Sequence, residues 1–219
     1  MSRRWRRAAD DWLTRLPYLG VAAFITLYFV GAAMYPGGTK LDWNSRGYSH
    51  VFNYWCDLLD AVSYSGALNP AQWVALPATI FLPLSLIPLW VRLPVLFRRA
   101  HVSGRIVRFA GTVAMLCAAL VFTRQHDLLI DVSAAFGGLA LALTVVELAR
   151  ARRFRLLGLA VLGLLFAAAN WTMWHLRGVF LAATPLTEKI AYATVLLWMV
   201  AATRAIRRAA RFNSSALTD

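Results

Sequence analysis

Residues 128–176 read LLIDVSAAFGGLALALTVVELARARRFRLLGLAVLGLLFAAANWTMWHL. Two apolar stretches of 21 residues, 128–148 and 156–176, flank a connection that carries Arg150, Arg152, Arg153 and Arg155. About 20 apolar residues in helical form cross the hydrocarbon core of a bilayer. A hairpin of two membrane spans joined by a basic turn is therefore the first element to read, and the rest of the chain repeats its pattern. Further apolar runs lie at about 16–35, 71–96, 104–123 and 187–205. Together they predict an all-α, six-transmembrane helix bundle. The six runs occupy most of the 219 residues, so the chain reads as a single integral membrane domain over 1–219. Composition agrees: 60% of residues are hydrophobic and 15% charged, against about 45–50% and about 25% in soluble domains.

The net charge of +13 invites a nucleic-acid reading, which its distribution argues against. Eighteen Arg residues fall at 3–15, 92–108, 150–155 and 204–211, whereas the alternate connections hold only Lys40, Arg46, Arg124, Arg177 and Lys189. Arg and Lys accumulate in loops that stay in the cytoplasm. Both termini are predicted inside, with 36–70, 124–127 and 177–186 outside. Membrane lipids are the expected partners, and the inner arginines suit anionic headgroups. The first apolar run is longer than the 7–15 residues of a signal-peptide core, so it reads as an uncleaved helix. Cys56 and Cys117 fall in an outer loop and in mid-span, which implies no disulfide framework. Pro77, Pro83, Pro88 and Pro94 predict a kinked second helix.

The outer loop 36–70 is long, and long ordered loops are often functional. Val51, Phe52, Trp55, Leu58, Leu59 and Val62 recur at helical spacing, as do Asn53, Asp57, Asp60 and Tyr64 on another side. This predicts a short interfacial helix whose polar face turns Asp57 and Asp60 toward His126, His175 or Arg124. Asp127 and Asp131 open the fourth span, where a helix dipole favours carboxylates. Asn53, Asp57, Asp60, Tyr64, Asp131 and Asn170 are the candidate ligand-binding residues. Intramembrane ionisable groups are functional candidates by default, and Asp131 is the clearest. Glu147 has Arg150 as a neighbour to pair with. Trp171 and Trp174 read as interfacial anchors.

These groups allow several chemistries. His126, His175 and one or two of Asp57, Asp60 and Asp131 have the donor types of a zinc site, which would make the chain a metal-dependent lipid hydrolase or remodelling enzyme. No HExxH or HxxxH pair is present, so such ligands would come from separate helices. Asp131 and Asn170 could instead line a transporter's path. His126 and His175 could ligate haem from adjacent helices. The plainest alternative is that the polar groups hydrogen-bond the loop onto the bundle. No Gly-rich phosphate loop and no nucleophile elbow occurs.

Tyr35-Pro36-Gly37-Gly38, Gly47-Tyr48-Ser49, Asn53-Tyr54-Trp55-Cys56-Asp57-Leu58 and Asn69-Pro70 together resemble a family of bacterial six-helix membrane proteins classed as a domain of unknown function. That family is distantly similar to the DRAM and FGF-receptor-activating-protein group. In that group the first outer loop carries a Ser-Asp-small-Gly motif; here Cys56 stands in place of the serine, and Leu58-Leu59-Asp60 replaces the glycine-containing end. The resemblance implies six helices, a bacterial cytoplasmic (inner) membrane location and a first loop on the outer side. It implies no particular activity, although some eukaryotic relatives are tied to lipid-anchor remodelling or autophagy.

Overall fold

The computed structural model describes residues 12–98 and 102–215. Arg3, Arg4, Arg6, Arg7, Arg99 and His101 lie outside the described residues. Six long helices carry the chain: α1 (Leu16–Met34), α2 (Gln72–Arg92), α3 (Val102–Ala118), α4 (His126–Arg150), α5 (Phe154–His175) and α6 (Thr184–Ser215). A 3₁₀ segment, Leu93–Leu96, extends α2, and a single turn, Arg177–Phe180, precedes α6. Among the described residues five stretches are long and apolar enough to cross a membrane: Leu16–Met34, Gln72–Leu96, His126–Arg150, Phe154–His175 and Thr184–Ala210. The chain thus has the helices of a multi-pass membrane protein. The predicted third span, 104–123, forms the 17-residue α3, which gives way to tight turns from Ala119 to Thr123.

Each helix packs against the next in sequence, and α6 returns to touch α1 and α2. Short connections favour such antiparallel neighbours. Two glycines make the close approaches possible. A Cβ at Gly20 of α1 would fall 1.7 Å from Ser85 Oγ of α2, and one at Gly111 of α3 would fall 2.3 Å from the Trp90 ring. The main core joins Phe24, Leu82, Leu86 and Trp90 to Leu141, Leu148, Trp198 and Met199. Phe29, Phe109, Leu165 and Leu197 instead point outward and are more than half exposed. Apolar side chains inside and outside alike mark helices that meet lipid.

The prolines of α2 do not interrupt it: the helix runs continuously through Pro77, Pro83 and Pro88, and Pro94 sits in the 3₁₀ extension. Bundled helices tolerate the missing donors because neighbours and local adjustments satisfy the freed carbonyls. Ser85 Oγ adds a side-chain bond within the helix, to Leu82 O at 2.6 Å.

The loop 36–70 departs from the predicted interfacial helix. Only Cys56–Leu59 is helical, as one 3₁₀ turn. Its ends turn at glycines: Gly37, Gly38, Gly47 and Gly66 all have positive φ. Isolated bridges pair Gly37 with Arg46 and Val62 with Leu68. The two sides of the predicted helix do not separate, because Asn53 (0% exposed), Asp57 (2%) and Leu58 (0%) are all buried.

Candidate functional site

Asp57 is the organising side chain of the loop. Its Oδ2 accepts from Asn53 Nδ2 at 2.9 Å and from the Tyr54 N–H at 2.8 Å, and its Oδ1 accepts from the Tyr64 hydroxyl at 3.5 Å. Asn53 also donates to Gly38 O at 2.9 Å and accepts from the Ser49 N–H at 2.9 Å. Asn69 donates to Asp60 O at 2.8 Å and accepts from the Ala71 N–H at 3.1 Å, which ties the 3₁₀ turn to the start of α2. Side chains that hydrogen-bond nearby backbone offer it an alternative to helix. That is why the stretch 49–64 is a knot of turns despite its helical spacing.

Burial raises the Asp57 carboxyl above its ordinary value, against the lowering effect of its hydrogen bonds from Asn53 and Tyr54. The two acids therefore part company. Asp57 turns into the loop, so the predicted meeting of its carboxylate with His126, His175 or Arg124 is corrected. Asp60 is exposed; partial desolvation raises its carboxyl, and the nearby charges of His126 and Lys40 draw it down.

Two residues at the start of α6 latch the loop to the helices. Glu188 Oε2 accepts from the Trp55 N–H at 3.0 Å, while Lys189 Nζ donates to Asn53 O and, at 3.1 Å, to Pro185 O. Tyr48 completes the attachment: its hydroxyl accepts from Tyr28 of α1 at 3.0 Å and donates to Tyr54 O at 2.9 Å. Burial pushes the Tyr48 phenol far up, so it stays a neutral donor. Trp55 stacks between Phe24 (4.5 Å) and Tyr28 (3.7 Å). Lys40 lies over the Tyr54 ring at 4.5 Å and the Trp174 ring at 5.7 Å, within cation–π range.

Beneath this cover lies a cavity of about 320 Å³, at the small end of ligand sites. All the long helices contribute to its wall, with Trp55, Cys56 and Leu59 of the loop as its lid. Apolar side chains dominate the lining, and His126, Asn170, Ser133 and Glu188 interrupt it. The site is thus less polar than the sequence suggested. Of the ligand-binding candidates only Asn170 lines it, together with His126 of the candidate metal ligands, and the Asn170 Oδ1 is buried with no hydrogen-bond partner. Such an orphan acceptor is costly and calls for an explanation.

Asp131 belongs to a separate cluster between the start of α4 and the end of α5. Its Oδ1 accepts from Trp171 Nε1 at 3.2 Å and lies 3.5 Å from His175 Nε2. His175 Nδ1 contacts Trp171 O at 2.9 Å. His126 pairs with its neighbour Asp127 at 3.1 Å. The candidate metal ligands therefore form pairs, and among the described residues no three His, Cys, Asp or Glu side chains converge to hold a metal ion. Asn53 and Tyr64 remain with Asp57 inside the loop.

Sequence reasoning passed over Tyr28, Tyr48, Lys189 and Asn69. The adjacent Glu188-Lys189 pair at the head of an apolar run was the available signal, since charges there need partners. No family model matches the chain, and no curated protein or solved structure matches it.

Proposed function

We propose that the chain is a six-span integral protein of a bacterial inner membrane, with cytoplasmic termini, related to the six-helix family its first loop resembles. Its loop-covered cavity binds the polar end and adjoining apolar part of an amphiphile, a membrane lipid first among them. The observation that carries this reading is the unpartnered Asn170 Oδ1 in a mostly apolar cavity of lipid-compatible size. An acceptor buried there gains from a ligand hydroxyl or ammonium donor, by about 1–3 kcal/mol relative to staying unpaired. The apolar walls gain from any chain they cover. A lipid-headgroup end with its first methylenes supplies both. The lid, latched by Glu188 and Lys189, gives such a ligand a route in when it opens.

The test is lipid content of the full-length protein purified in detergent, measured by mass spectrometry. Ala134 lines the cavity, whereas Ala135 does not. Ala134→Phe fills the space and is expected to lose a lipid that the wild type and Ala135→Phe both retain. Equal lipid content in the two variants overturns the reading.

A further inference from the structure

A second cavity, of about 800 Å³, opens between the start of α5 and the far half of α6. Four arginines line it: Arg153 and Arg155 from the α4–α5 connection and first turn of α5, Arg204 and Arg208 from α6. Among the described residues no Asp or Glu does. Arg204 and Arg208 are one helical turn apart and so share a face. Arg153 is anchored by donation from its Nε to Leu96 O at 3.1 Å, which fixes the guanidinium at the wall. The acid nearest in sequence, Glu147, is paired with Arg150 at 3.0 Å and does not reach the lining. The first turn of α5 has no side-chain cap, so its amide donors add to the same positive end. The remaining wall is apolar, with Val95, Leu156 and alanines of α6.

Four like charges around one space repel one another, and nothing described in the lining offsets them. Arginine forks match phosphate oxygens two at a time. We infer that this cavity binds one phosphate-bearing anion, held by Arg153, Arg155, Arg204 and Arg208. The phosphate can belong to an anionic lipid headgroup, whose glycerol and first methylenes would lie on the apolar wall, or to a soluble phosphate. This site is separate from the loop-covered cavity and does not depend on its ligand.

Native mass spectrometry of the full chain from detergent tests it, with three probes: phosphatidylglycerol, phosphatidylcholine of the same acyl chains, and inorganic phosphate. Arg204→Ala/Arg208→Ala removes two of the four forks. Arg105→Ala/Arg108→Ala removes the same charge from α3, away from the cavity. The expected result is phosphatidylglycerol binding weakened about tenfold or more by the first pair and little by the second, since each charge-assisted fork is worth roughly twice a neutral bond. The same contrast with inorganic phosphate alone also supports the site and makes its ligand a soluble anion. Equal affinity of the two double variants for phosphatidylglycerol and for inorganic phosphate alike overturns it. Thermal unfolding of each variant reports its folding; if Arg204→Ala/Arg208→Ala does not fold, Arg155→Ala carries the same comparison with the same outcomes.

Discussion

Asp57 sets the residue scale. It is a buried carboxylate that accepts from one amide side chain and one backbone N–H. Asp57→Ala leaves the Tyr54 N–H without its acceptor and is expected to cost about 1–3 kcal/mol. Asp57→Asn keeps an oxygen for both donors, so its loss should be smaller. The pH dependence separates the two forms further. Burial holds the folded carboxyl above its ordinary value, so the folded state binds this proton more tightly than the unfolded chain does. That contribution to stability is fully present below the ordinary carboxyl value and is lost as pH rises through the folded one. Unfolding midpoints in detergent should therefore shift in favour of Asp57→Asn over wild type as pH climbs; a constant difference across the range would refute the buried-charge account. The sequence made Asp57 conspicuous as an acid in an oily setting, but not its direction. Its helical spacing from Asn53 and Tyr64 matched an amphipathic face, whereas these side chains consume backbone donors and fold the segment inward. Of the candidates only Asn170 and His126 line the cavity, and the signal of Asn170 in the sequence was a lone amide at the end of an apolar run.

At the scale of elements, the latch and the helix contacts each make a claim. Glu188→Ala removes the acceptor of the Trp55 N–H. It is expected to raise hydrogen exchange and protease cleavage across 53–59 while leaving α2 to α5 protected, since local openings follow the loss of few contacts. Unchanged exchange there would show that Lys189, Tyr48 and the aromatic stacking of Trp55 hold the lid without Glu188. Gly20 offers a cleaner measurement. Gly20→Ala drives a methyl into Ser85 and should cost about 1–3 kcal/mol by overpacking. Ser85→Gly removes the clashing atoms at about 1 kcal/mol of helix propensity. The double variant should then be more stable than Gly20→Ala alone, with a non-zero coupling energy; simple additivity would deny the contact. The helix positions were legible because a 20-residue apolar run leaves few alternatives in lipid. The predicted span 104–123 failed at its far end, where the chain turns from Ala119 onward: apolarity marks what a membrane tolerates, not where hydrogen bonding stops.

At the scale of the whole molecule, charge asymmetry and geometry make one argument. The described arginines of 92–108, 150–155 and 204–211 belong to the same ends of the helices, and the loop 36–70, Asp131 and Glu188 to the opposite ends. Retaining so many guanidiniums on one side is worth more than any single loop contact, because moving each across a bilayer is strongly disfavoured. Reporters fused after the last residue and inserted in 150–153 should both read cytoplasmic, and one inserted at Asn44 should read periplasmic. Moving charge tests the cause as well as the outcome. Replacing Arg150, Arg152, Arg153 and Arg155 by neutral residues, with four lysines added in 124–127, should invert or trap the hairpin of α4 and α5, so that the reporter near 150 changes sides in part of the population. If that reporter stays cytoplasmic, the remaining clusters are sufficient to orient the chain. The four arginines would then be freed from a topological role, and for Arg153 and Arg155 their place around the second cavity would be the reason the chain carries them.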